Sequence, residues 1–404
     1  IFVGRGVGSA ALGAVNIGVP FITFAVAIAA MFPMGGGTVV AIRMGREDKE
    51  GANHAFMTAF LLTLLASLLL TLIGMAFSRQ IVDLSGGRTL SHTMRDMAAG
   101  YLFYYCAFSV PMLMSTCLSV FVRNDGSPAL SFVGMCVGAG ANIFLDWLFI
   151  FPMDMGVIGA AIASGLGQVF SVAVLRSHFV RRQGSLRFRR FHLSGALAVK
   201  ICKRGVPEAV SQLTTPVTAL CYNLMLAKLV GDIGVSTFSV LSFIYALANA
   251  ILSGVAQGLQ PLWGNCYGER DTDGMNEYFR WGIRINVTLS VAVYGLLLFF
   301  TEPVIRIFNQ DPELVQNAST ALPLFSLSFI PMALNLIYTA FLYSTKRTLQ
   351  ADAIAFSRGV VLKAAAIFCL PVLLGGDTIW LAPLAAEMLT LLLALVLSKA
   401  TGPA

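Results

Sequence analysis

Asn142 and Asp146 stand four positions apart in an otherwise apolar run, Gly140-Ala-Asn-Ile-Phe-Leu-Asp-Trp-Leu-Phe-Ile-Phe. In a helix that spacing puts both side chains on one face. A carboxylate beside an amide carbonyl offers an oxygen cage for a sodium ion, and the same carboxyl, held in low dielectric, can carry a proton. The two residues would equally serve as a polar pair packing one helix on another. Arg358, Lys363 and Glu387 form a second set, whose types suggest an ion pair between neighbouring helices. Gln257 and Gln260, ahead of Pro261, can bond a neighbouring helix or line a cleft, and Asn335 is a lone amide suited to joining helices. Glu208, after Pro207, reads as a first-turn carboxylate at a helix start.

The elements that must hold these groups are set by composition. Of 404 residues, 57% are hydrophobic and 12% charged, about half the charged share of a soluble domain. Apolar stretches recur that are long enough to cross about 30 Å of hydrocarbon, for which roughly 20 helical residues suffice. Spans are expected near 15–42, 53–77, 96–121, 129–151, 156–179, 205–229, 236–263, 280–300, 313–343, 352–373 and 378–398. They are too long and too continuously apolar for barrel strands, so an all-α integral membrane protein follows. A charge at bilayer centre costs at least about 2.5–3.5 kcal/mol, which is why the few ionisable residues inside spans attract functional interest.

The net charge of +7 does not point to nucleic acid, because the basic residues lie in short loops between spans. Arg43, Arg46, Lys49, Arg123, Arg270, Lys346, Arg347 and Lys399 fall on one side, together with the dense run from Arg181 to Arg204. That asymmetry places this side, and the C-terminus, in the cytoplasm. The seven cysteines are irregularly spaced with no CxxC pair, so neither a disulfide framework nor a zinc site is expected.

The chain also repeats itself. A shift of 223 residues aligns Gly45, Asp48, Gly51, Asn53 and Phe56 with Gly268, Asp271, Gly274, Asn276 and Phe279. Eleven of the fifty pairs from Val7 to Phe56 are identical, against ~3–5 expected at ordinary residue frequencies. Pro111 and Pro331 fall at matching places in long spans. Matching spans cross in the same direction, so the repeats are parallel. The expectation is a twelve-helix, six-plus-six pseudo-twofold transporter fold whose first helix is missing from this sequence. Its parts would be an N-lobe at 1–180, a basic cytoplasmic linker at 181–204 and a C-lobe at 205–404. Two such lobes leave a cleft on the pseudo-symmetry axis, the general plan of secondary transporters. There is no GxxxxGK[ST] loop, HExxH or GxSxG, so an enzyme is not expected and an ion gradient is the remaining energy source.

Several motifs resemble the multidrug and toxic compound extrusion (MATE) family, close to its bacterial branch, over essentially the whole chain. They are Ile1-Phe-Val-Gly-Arg, Arg123-Asn-Asp-Gly-Ser-Pro, Asn142-Ile-Phe-Leu-Asp146, Gly156-Val-Ile-Gly-Ala-Ala-Ile-Ala-Ser164, and Gln257-Gly-Leu-Gln-Pro261 running on to Tyr267-Gly268. The resemblance implies a multi-pass protein of the bacterial inner membrane, expected as a monomer among membrane lipids. It would export amphipathic, often cationic, drug-like compounds in exchange for H⁺ or Na⁺, with no other cofactor. It puts the cation site on Asn142 and Asp146, with Na⁺ there in some members, and adds a hydroxyl from Ser164. Arg358 and Glu387 also resemble family positions, for which a structural role is preferred. A carboxylate found partway along the seventh helix in some relatives is not carried over, because Thr215 lies near that place and Glu208 sits too early. The rival reading is a flippase for lipid-linked or phospholipid substrates, for which Arg358 and Lys363 are the basic candidates inside spans.

Overall fold

The structure is a computed structural model and describes residues 9–85, 92–189, 192–308, 311–345 and 347–399. The segment Ile1–Gly8, with its Ile1-Phe-Val-Gly-Arg motif, and Arg88, Arg190 and Lys346 lie outside the described residues, as does the side chain of Thr215.

All regular structure among the described residues is helical. The chain forms two compact units that divide between Gln212 and Leu213. The first contains α1 (Ser9–Met44), α2 (Lys49–Ala76), α3 (Ser78–Leu84), α4 (His92–Ala107), α5 (Ser109–Asn124), α6 (Pro128–Ile150) and α7 (Gly156–Val180). Helix α8 (Gly195–Leu229) runs across the division. The second unit continues with α9 (Asp232–Glu269), α10 (Thr272–Phe299), α11 (Thr301–Phe308), α12 (Pro312–Ser326) and α13 (Phe329–Ser344). It ends with α14 (Thr348–Phe356), α15 (Leu362–Leu374) and α16 (Ala382–Lys399).

The duplication is legible in the helix starts. Ser9, Lys49 and Ser78 open α1, α2 and α3, and Asp232, Thr272 and Thr301 open α9, α10 and α11, each 223 positions later. The repeated Gly-x-x-Asp-x-x-Gly loop is a helix N-cap. Asp48 Oδ1 accepts the Gly51 N–H at 2.8 Å, and Asp271 Oδ1 accepts the Gly274 N–H at 2.9 Å. Each bond satisfies one of the orphan donors at a helix N-terminus. The second glycine is required by space: a Cβ would stand 2.0 Å from Asp48 Oδ2 at Gly51 and 2.2 Å from Asp271 Oδ2 at Gly274.

Two expected spans are broken. The segments 96–121 and 313–343 bend by 47° between α4 and α5 and by 41° between α12 and α13. In each case the break precedes a proline, Pro111 or Pro331, which lacks the N–H that would bond the carbonyl of Ala107 or Leu327. With each bent pair taken as one span, ten segments among the described residues are long and apolar enough to cross a membrane. The remaining expected span, 205–229, lies inside α8, which starts at Gly195. Glu208 is therefore mid-helix and not at a helix start; it accepts a hydrogen bond from Gln212 Nε2 at 3.1 Å. The reading of Glu208 as a first-turn carboxylate is corrected accordingly, since Pro207 continues a helix that was already under way.

Outer faces are apolar. Leu65, Leu69 and Leu72 on α2, Phe132 and Met135 on α6, and Leu296 and Phe299 on α10 are all exposed, as surfaces that meet lipid should be. In the first unit a core of Phe56, Phe121, Phe179 and Leu186 ties α2, α5 and α7 to the segment after α7. That segment is strapped down. Asp125 accepts the N–H groups of Ser185 at 2.7 Å and Leu186 at 3.1 Å, and its Oδ2 lies 2.9 Å from His178 Nε2. Asn53 Oδ1 accepts the Arg187 N–H at 2.6 Å, and Leu186 is fully buried. In the second unit Tyr222, Leu241, Phe325, Phe329 and Ala386 belong to one core.

Candidate functional site

Among the described residues helices α6 and α7 form an extensive helix pair, and small residues are the reason. Gly134 and Gly138 are buried on the face of α6 that continues, at the same four-residue step, to Asn142 and Asp146. A Cβ at Gly138 would stand 2.9 Å from Ser171 Cβ, and one at Gly167 would stand 2.7 Å from the Gly138 carbonyl oxygen and 2.9 Å from Asn142 Cβ. The backbones therefore meet along a seam with no side chain between them, and the polar groups lie where that seam ends.

There Asn142 Nδ2 donates to Ser164 Oγ across the helix pair at 3.3 Å. With its NH₂ directed at Ser164, Asn142 has its carbonyl oxygen left as the group to offer a cation. Asp146, one turn further on, is half-buried. Among the described residues no donor reaches its buried Oδ1 and no basic group lies within 4.0 Å of it. Tyr101 on α4 lies within electrostatic reach of the carboxylate and packs against Tyr105, with ring centroids 5.9 Å apart. The bend after α4 also borders the site: Phe108 occupies the space above Gly165, the residue following Ser164, where a Cβ would come within 2.1 Å of its ring. The structure thus brings Asn142 and Ser164 together, places Asp146 on the same stripe, and adds Tyr101, which the sequence had not singled out.

The seam yields a direct test. Gly167→Ala should cost about 1–3 kcal/mol by overpacking, because the groups it meets are backbone and Cβ atoms that cannot swing aside. Gly140→Ala, on the exposed face of α6 with nothing within 4 Å of its Cβ, should be neutral or slightly stabilising. Thermal unfolding of both variants in detergent measures the contrast; equal behaviour would show that the seam is not tightly packed.

The second unit holds the other set. Arg358 Nε lies 3.0 Å from both carboxylate oxygens of Glu387, which is fully buried. Asn335 Nδ2 donates to the Glu387 side chain and to its main-chain carbonyl, both at 2.8 Å, joining α13 to α16. Lys363 Nζ is 3.9 Å from Glu387 Oε1 and donates to the Tyr245 hydroxyl at 2.9 Å. Arg358 lies in a π-helical turn, Ser357–Val361, between α14 and α15. The turn is accommodated where Gly359 meets Thr214 of α8, whose Cγ2 would lie 1.9 Å from a Cβ there. Single-turn π-bulges recur at functional sites. Gln257 and Gln260 are half-buried on α9, one turn and less before Pro261, and bond to none of Asn335, Arg358 or Glu387. No local pattern singles out Tyr245, since nothing in its neighbourhood pairs it with a lysine 118 positions away.

The fold and these sites define a polytopic, duplicated, all-helical membrane protein with isolated polar centres in its spans. The chain belongs to the MatE family, whose sequence model matches residues 1–148 and 207–367. It is 23% identical over 366 residues to the multidrug export protein MepA of Staphylococcus haemolyticus (strain JCSC1435), covering 87% of this chain and 77% of that protein. Against MepA of Staphylococcus aureus (strain MRSA252) it is 23% identical over 392 residues, covering 96% and 85%. An outward-facing multidrug resistance MATE family transporter of the MOP superfamily superposes with a TM-score of 0.92 at 21% identity, over 97% of this chain and 88% of that one. The MATE multidrug transporter DinF-BH, solved with R6G, superposes with a TM-score of 0.88 at 24% identity, over 100% and 90%. The fold is that of the MATE transporters.

Proposed function

We propose that this protein is a secondary efflux transporter, exporting amphipathic, cationic drug-like compounds in exchange for H⁺ or Na⁺ by alternating access, as a monomer in the bacterial inner membrane. The observation that carries the coupling is Asp146. A carboxylate in an apolar helix, with a buried oxygen lacking any hydrogen bond and no basic neighbour among the described residues, is expensive unless a mobile cation visits it. Asn142 and Ser164 supply neutral oxygens beside it. Cation binding and release at this site would bias the protein between two states, which is the thermodynamic requirement for coupling. Export of drugs is supported by family membership and by the MepA relatives. The test is export of a cationic dye by purified protein in liposomes, with proton and sodium gradients imposed separately. Transport should accelerate under one of the two; indifference to both would remove the antiport mechanism.

The flippase reading has one observation in its favour, the two cations Arg358 and Lys363 around a single Glu387. Accumulation of a lipid precursor on gene deletion, without drug sensitivity, would select it.

A further inference from the structure

We propose that Lys363, backed by Arg358 and Tyr245, forms an oxyanion-binding site in the second unit. The ligand group would be the carboxylate or phosphate of an amphiphile.

Arg358 and Lys363 are two cations in one apolar segment, and Glu387 is the only carboxylate within 4.0 Å of either among the described residues. Glu387 is committed elsewhere: both of its oxygens face Arg358 Nε at 3.0 Å, and Asn335 holds one of them at 2.8 Å. Lys363 stands 3.9 Å from it, outside hydrogen-bond range, so its ammonium has a neutral phenol as its nearest acceptor. An ammonium inside a span that shares its one carboxylate with a closer guanidinium is undercompensated, and charge there is costly. A ligand oxyanion would satisfy it.

The surroundings suit an amphiphile. Lys363 Nζ sits 4.9 Å above the Tyr245 ring, and that ring lies 6.1 Å from each of Phe325 and Phe329. A cation at the edge of an aromatic wall offers both halves of an amphipathic ligand a partner. The two basic side chains remain reachable, at 13% and 12% exposure for Arg358 and Lys363, whereas Glu387 is at 0%. A ligand anion can therefore reach the cations while Glu387 stays buried beneath them. The π-helical turn carries Arg358 toward Glu387 and leaves Lys363, two positions beyond its end, on Tyr245.

The site is separate from Asp146, and binding can be measured without any gradient, so its failure and that of the antiport reading are distinguishable. Purified full-length chain in phosphatidylcholine nanodiscs is titrated by fluorescence anisotropy with rhodamine 110, which bears a free carboxylate, and with its methyl ester, rhodamine 123. Lys363→Gln should weaken rhodamine 110 by about tenfold or more, the scale of a lost charge-assisted contact, and leave rhodamine 123 unchanged. Lys363→Arg should restore the discrimination. Equal losses for both dyes, no loss for either, or failure of Lys363→Arg to rescue would overturn the proposal. Should Lys363→Gln elute aggregated, Tyr245→Phe takes its place and should weaken rhodamine 110 alone. Repeating the titration in phosphatidylglycerol nanodiscs separates the two ligand sources. Weaker binding of rhodamine 110 there assigns the site to a lipid phosphate, and unchanged binding assigns it to the carboxylate of an exported compound.

Discussion

Asp146→Asn should produce a protein that is more stable than the parent and does not transport. Asparagine keeps the shape of aspartate and removes its charge. Asp146 has a buried oxygen with no hydrogen-bond partner among the described residues, so the parent bears a cost that at full burial in a bilayer is about 2.5–3.5 kcal/mol. For a half-buried residue a gain of about 1–2 kcal/mol on neutralisation is expected, seen as a higher unfolding temperature in detergent. Dye export driven by a gradient should fall by more than about tenfold, since losing an ion contact exceeds the roughly 1.4 kcal/mol that separates tenfold rates. Stability and activity moving in opposite directions is the signature of a group retained for function at the expense of the fold. A helix-packing role predicts the reverse: Asp146→Asn would then lower stability and leave gradient-driven export intact.

Glu387→Gln should behave in the opposite way. Glu387 is the sole counter-charge for Arg358 and Lys363 among the described residues. Removing one member of a buried pair typically costs about 3–5 kcal/mol, because the remaining charge is left uncompensated. Glutamine keeps an acceptor for Asn335, so the loss isolates the electrostatic part. The double variant Glu387→Gln with Arg358→Gln restores the original net charge of the cluster and should recover most of the stability in the same unfolding assay. A double variant no better than the single one would mean that the pair is not what holds α16 to the π-helical turn. Arg358 answers the charge of Glu387, whereas among the described residues no basic side chain lies within 4.0 Å of Asp146.

Much of the architecture was readable from spacing. The 223-residue shift found in Val7–Phe56 reappears as helix starts, and the loop it highlighted proves to be a pair of Asp N-caps. Asn142, Asp146 and Ser164 were legible as a candidate site, because helical periodicity fixes which residues share a face and because charge is rare inside spans. Departures occurred where local sequence does not encode the outcome. Pro111 and Pro331 were visible, but the size of each bend depends on what packs in the gap, as Phe108 does on Gly165. Helix α8 starts ten residues before the expected span, because Lys200, Lys203 and Arg204 interrupt the apolar pattern without interrupting the helix, and this leaves Glu208 mid-helix. The π-helical turn at Arg358 and the meeting of Lys363 with Tyr245 are tertiary facts with no periodicity to announce them.

The run after α7 shows how one stretch of chain can have two lives. Its arginines, on the side expected to face the cytoplasm, would act during insertion as ballast that sets which way the protein faces. Afterwards Asp125, His178 and Asn53 moor the backbone at Ser185–Arg187, and Leu186 is driven among phenylalanine rings like a wedge. A tether between halves would leave such a stretch slack. Here it is part of the hull of the first half, bound into the same compact unit as α2, α5 and α7.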